Sequence, residues 1–221
     1  MREHLRDGDG RLLRSWRDGR AAVPAFADDH ALLAGAYLTL YETTFDPAWF
    51  VEARELAAEL LRSFADEERG GFFMAPADGE QLVARRKDLD DNPTPSGNSM
   101  LAYVLLRLAR IYGDDELEHR AVGVLRLLNQ SMARIPSAFG WALCALDLYL
   151  STPRELAILG SPGDEIARVA LAPFDPNAVV AFGPGDDVPL LAGKARVDGK
   201  PTLYVCERFA CRAPVTDPAA I

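Results

Sequence analysis

Apolar residues run almost unbroken from Phe26 to Glu42, where Ala31, Leu32, Leu33, Ala34, Ala36, Tyr37, Leu38, Leu40 and Tyr41 leave hardly any polar face. Such a segment reads as a helix enclosed by other protein, an inner helix. The next segment has a different period. Asp46 is a candidate cap and Pro47 fits the first helical position. Phe50, Ala53, Ala57, Leu60 and Phe64 then recur at helical spacing, with Glu52, Arg54, Glu55, Glu59 and Arg62 on the other faces, which predicts a half-exposed outer helix. The alternation repeats. Met100 to Tyr112 is an apolar-rich inner helix stopped by Gly113, and Asp114 caps an outer helix over Glu116 to Leu128. Ser137 to Leu150 starts a third round that has no outer partner.

The connections carry their own signals. Gly8 to Arg20 has glycines near both ends and suits a short extended segment flanked by turns. Gly70-Gly71 ends the first outer helix, and the segments 72–75 and 81–84 bracket Pro76-Ala77-Asp78-Gly79, an expected hairpin. After Thr152-Pro153 the helical period ends. Leu156 to Leu159 reads as a buried strand, Glu165 to Leu171 as a short helix, and Ala178 to Phe182 and Leu203 to Cys206 as two further strands. The strand–helix–strand order favours a parallel pair. The expected organisation is a helical unit over residues 1–152 and a small α/β unit over 153–221.

Composition narrows the function classes. The chain has 221 residues, is 49% hydrophobic and has a formal net charge of -9. Lys and Arg are scattered, so the basic stripe expected of a nucleic-acid or anionic-membrane partner is absent from the sequence. The charged N-terminus leads into no apolar core of a signal peptide, and no apolar run approaches the roughly 20 residues of a membrane span. Three cysteines, Cys144, Cys206 and Cys211, are too few for a disulfide framework, and a cytoplasmic location is expected. Cys206 and Cys211 match neither a CxxC redox pair nor a four-ligand zinc site; structural thiols are the default expectation and a redox role the alternative. Gly160 to Asp164 lacks the lysine and the glycine spacing of a phosphate loop and reads as a turn with Asp164 as cap. No metal site and no cofactor is expected.

Polar residues concentrate at the starts of two inner helices: Asp28-Asp29-His30, and Asp88 through Asn92 followed by Ser96 and Asn98. Two such starts predict one shared polar pocket. The ordered motifs Phe26-Ala27-Asp28-Asp29-His30-Ala31, Asp90-x-x-Pro93-x-Pro95-Ser96-Gly97-Asn98-Ser99 and Tyr204 to Thr216 also carry a likeness. From about Gly10 to the end, the chain resembles the C-terminal part of the thioredoxin-domain-containing family that includes the spermatogenesis-associated protein of animals.

That resemblance implies an N-terminal thioredoxin-like domain followed by an (α/α)6 toroid of the six-hairpin glycosidase and N-acylglucosamine epimerase type. The fold expectation is therefore mainly α, a partial (α/α)6 toroid of helical hairpins followed by the small α/β unit. The first domain and earlier hairpins have no counterpart here, so uncovered helix faces are expected to bind the missing N-terminal part of the fold or a second copy of the chain. In toroids of this type substrate sits at the inner-helix starts. Asp28, Asp29, Asp90 and Asp91 are then candidate catalytic carboxylates, and a separation of roughly 6.5–9.5 Å between acid and base would indicate an inverting hydrolase. Trp16, His30, Phe72, Arg86, Lys87, Asp88, Asn92, Ser96 and Asn98 are candidate contacts to a sugar-like ligand. Epimerisation, which needs paired pocket histidines, is disfavoured by a chain whose histidines are His4, His30 and His119. The competing expectation is a non-catalytic interaction module in which the same aspartates and asparagines satisfy helix N-termini.

Overall fold

The computed structural model describes residues 4–79, 83–183 and 188–221. A hairpin of β1 (Leu13–Arg17) and β2 (Arg20–Pro24) comes first, closed by Asp18-Gly19, both at positive φ. Such two-residue turns match the right-handed twist of the strands they join. Helices α1 (Ala27–Thr44) and α2 (Pro47–Ser63) follow, then α3 (Gly97–Tyr112), α4 (Asp115–Arg134) and α5 (Gly140–Leu150). Their ends follow the local chemistry. The Asp46 carboxylate accepts the Ala48 N–H and the Ser96 hydroxyl accepts the Ser99 N–H. The Asp114 carboxylate accepts from Glu116 and Leu117, and Gly113 closes α3 in the left-handed conformation at φ 66°.

The rest of the chain builds β3 (Arg154–Leu159), α6 (Glu165–Ala170), β4 (Ala178–Phe182), β5 (Thr202–Glu207) and β6 (Ala210–Cys211). The sheet order is β4-β3-β5-β6. β3 and β4 are parallel, with α6 between them in sequence, while β5 runs antiparallel to β3. The two-residue period divides the sheet's faces. Ala157, Val179 and Ala181 enter one core with α1 to α5. Leu156, Ile158, Val180 and Phe182 form a second core with Ile166, Ala167 and Ala170 of α6. The edge strand β4 is tied to α1 by the Phe182 N–H, which donates to the Tyr41 hydroxyl at 3.0 Å. Burial pushes that hydroxyl's pKa up to about 12, so it stays protonated.

These elements correct three expectations. The fold class is mixed α/β, with six α-helices and six strands in two sheets among the described residues, in place of the mainly α partial toroid. Periodicity reports which helix faces are apolar and not what covers them; here a sheet shares the helical core. Residues 72–79 and 83–84 hold no strand, only an isolated bridge between Ala65 and Phe72, and the rest of the expected hairpin, Gln81 and Leu82, lies outside the described residues. Cys206 and Cys211 are joined in a disulfide. Arg208 and Phe209, both at positive φ, make a turn so tight that residues five apart become direct partners across β5 and β6.

Candidate functional site

The starts of α1 and α3 meet. Gly97, the first residue of α3, approaches the α1 backbone so closely that a Cβ there would lie 3.0 Å from the Asp28 nitrogen and 3.2 Å from its Cα. Glycine allows this approach without strain, whereas a side chain would oblige the α1 backbone to give by a few tenths of an ångström. The contact brings Asp28 beside the segment that leads into α3. The half-buried Asp88 carboxyl titrates above the usual carboxylate range, first because burial penalises its charge and then because Asp28, Asp90 and Asp91 repel it; the Gly97 N–H works the other way.

Several of the expected site residues are held by structural hydrogen bonds. Asp29 accepts the Phe26 N–H at 2.9 Å and pairs with Arg14 at 2.9 Å, so it closes the start of α1. Asp91 accepts the Ser96 N–H at 2.8 Å on one oxygen and the Trp141 N–H at 2.8 Å on the other, fastening the starts of α3 and α5 together. Asn98 is 1% exposed and spans three backbone groups. It accepts from the Phe72 nitrogen at 2.8 Å and donates to the carbonyls of Phe72 at 2.9 Å and Asp88 at 2.8 Å. Ser96 caps α3, and Phe72 is part of the core at 2% exposure.

Lys87 is also internal. Its ammonium pairs with Asp66 at 2.7 Å and donates to the Gly70 carbonyl, and this pairing holds the Asp66 carboxyl down at about 2. Arg86 and Asn92 are exposed, and Arg86 contributes its carbonyl to Met74. Trp16 lies apart on β1, stacked on His4 at 4.6 Å. What remains at the mouth is the half-buried Asp28, 3.4 Å from Arg14, with Asp88, which accepts the Gly97 N–H, and the exposed Asp90.

His30 faces elsewhere. It is 4% exposed and lines a cavity of about 330 Å³ between the β1–β2 hairpin, α2 and the loop at Pro76 to Asp78. Arg6, Arg11, Arg62, Leu12, Leu56 and Phe64 also line that cavity, and none of them stood out in the sequence. Their one local signal was the apolar spacing that placed Phe64 on the buried face of α2. Among the described residues, no group of three or more His, Cys, Asp or Glu side chains could hold a metal ion, and no helix is long and apolar enough to cross a membrane.

With the mixed α/β fold and the acidic mouth in view, similarity to known proteins can be placed on them. No family model matches the chain. The chain is 29% identical to spermatogenesis-associated protein 20 of Homo sapiens over 242 aligned positions, covering 100% of this chain and 31% of that protein. The Rattus norvegicus counterpart gives the same identity and coverage. An uncharacterized protein of Caenorhabditis elegans is 26% identical over 225 positions, covering 95% of this chain and 31% of its own length. The chain thus spans just under a third of the curated relatives it matches, and this similarity fits the family to which the three motifs point.

Proposed function

We propose that the mouth formed by Asp28, Asp88 and Asp90 binds a polyhydroxylated, sugar-like ligand. The observation that carries the reading is the meeting of the α1 and α3 starts at Gly97, with an Asp88 carboxyl raised by burial and by its acidic neighbours. A carboxyl that keeps its proton to higher pH donates a hydrogen bond, a carboxylate accepts one, and a polyol offers both partners. If the site is catalytic, Asp88 is the general acid and Asp28 or Asp90 the base.

The test is a thermal-shift screen of mono- and disaccharides on the parent chain and on Asp88→Asn, Asp28→Asn and Asp90→Asn. A sugar-dependent rise in Tm that these variants lose supports the reading, and no response to any sugar removes it.

A second reading, a self-associating or protein-binding module, is favoured by a different observation. Leu40 of α1 and Trp141, Tyr149 and Leu150 of α5 are exposed at 38%, 39%, 37% and 71%. Exposed apolar side chains of this size mark interaction sites where they adjoin one another. Sedimentation at micromolar concentration separates the two: a monomer that binds sugar supports the first, a dimer without sugar response the second.

A further inference from the structure

A second site, independent of the acidic mouth, lies between the segment Arg6 to Leu12, the end of β2 and α2. Its key group is His30. The imidazole Nδ1 lies 2.8 Å from the Phe26 carbonyl, which can only accept, so Nδ1 carries the proton. Nε2 is then the bare acceptor of the ring. It has no hydrogen-bond partner among the described residues and opens onto the 330 Å³ pocket that this 4%-exposed residue lines. An acceptor that faces a pocket takes its hydrogen bond from water until a ligand that can donate replaces that water.

The walls say what that donor is attached to. Leu12, Leu56 and Phe64 make the interior apolar, and the Phe64 ring lies 5.2 Å from the imidazole. The three arginines at the rim are each already matched by a carboxylate. Arg6 pairs with Glu52 at 3.0 Å, Arg11 with Asp78 and Arg62 with Glu59. An anionic ligand would have to displace one of these pairs and leave its partner unmatched, and a cation would meet only Asp9 and Glu55, both exposed to solvent at the rim; an uncharged ligand displaces nothing. The volume is at the lower end of small-molecule pockets, about the size that holds a single ring system.

We propose that this cavity binds an uncharged, flat apolar molecule bearing one N–H or O–H donor, which it gives to His30 Nε2. Burial lowers the His30 pKa, so the acceptor persists at neutral pH and somewhat below. The site is separate from the sugar reading, since neither Asp88 nor Asp90 lines it.

Indole and phenol are the probes, with 1-methylindole and toluene as donor-free matches, and the readout is the ¹⁵N shift of His30 Nε2 during titration of the whole chain. Indole and phenol are expected to move Nε2 and to bind about tenfold or more tighter than their matches, the value of one hydrogen bond. Leu56→Trp, which fills the cavity and leaves His30 in place, should abolish binding of all four. His30→Phe should equalise indole and 1-methylindole, while Asp88→Asn should change nothing. Equal affinity of each pair for the parent chain, or an unmoved Nε2 at millimolar indole, would overturn the proposal. The parent-chain comparison decides the matter even if a cavity variant fails to fold.

Discussion

Asp28 and His30 are two residues apart in one helical turn, yet they serve different regions. Each residue of an α-helix advances about 100°, so positions i and i+2 point nearly opposite ways. Asp28 meets Gly97 and Asp88 at the contact with α3, whereas His30 turns toward α2 and the β1–β2 hairpin. The mouth is built from groups most of which bond to neighbouring helix starts. The cavity is built from apolar walls around one acceptor left over. The difference teaches that a cluster of polar residues in sequence is not a site: what matters is which of their atoms remain uncommitted after the backbone has been satisfied.

Three substitutions and titrations would break or sharpen that contrast. The largest effect is expected from Asn98→Ala, which strips the Phe72 N–H and two carbonyls of their partner in a buried position. The loss should be about 3–5 kcal/mol of unfolding free energy in urea titration. A loss under about 1 kcal/mol would mean that Asn98 is free to serve a ligand. Asp91→Ala comes next. Removing a cap shared by α3 and α5 should cost about 1–2 kcal/mol, and amide exchange at Ser96 and Trp141 should quicken together. Exchange that quickens at only one of the two would break the picture of a single fastening.

The smallest effects are the pH dependences, which have opposite signs in the two regions. Asp88 has a folded pKa above its unfolded value, so its contribution is greatest at low pH and is lost as pH rises through the folded pKa. Asp88→Asn should remove that decline. His30 has a folded pKa below its unfolded value, so stability falls as pH drops below about 6.5, where the unfolded chain takes up a proton that the folded one resists. Urea midpoints measured between pH 4 and pH 8 on the parent chain and on Asp88→Asn and His30→Phe would separate the two drifts, roughly, into an upper-side loss and a lower-side loss. A parent curve that rises through the Asp88 window, or a His30→Phe curve that keeps the acid-side loss, contradicts the assignment.

Much of the secondary structure was legible locally. Asp46-Pro47, Ser96, Gly113 and Asp114 each mark a helix end by the hydrogen bonds they make or cannot make, and the β3 and β4 segments show their buried character in unbroken apolar runs. The layer arrangement was not legible, because Ala157 and Ala181 look the same in sequence whether they face helices or another sheet. The Cys206–Cys211 bond was hidden for a similar reason: it depends on a turn at Arg208-Phe209 whose positive φ values neither residue type favours.

The candidate mouth was legible as a set of residue types, and its membership was not. Asp29, Asp91, Ser96 and Asn98 share the chemistry of Asp28, Asp88 and Asp90, but each holds a backbone N–H at 2.8–3.1 Å, while Asp28 meets only Arg14 at 3.4 Å and Asp90 is exposed.

Amino-acid order alone determined where helices and strands begin, because caps, prolines and apolar periods act over a few residues of backbone. Only the tertiary structure decided that the α1 and α3 starts touch at Gly97, and that a hairpin and α2 close over His30. Those outcomes depend on contacts between segments tens of residues apart, where the free energy comes from the shape and burial of whole faces and leaves no mark at any one position.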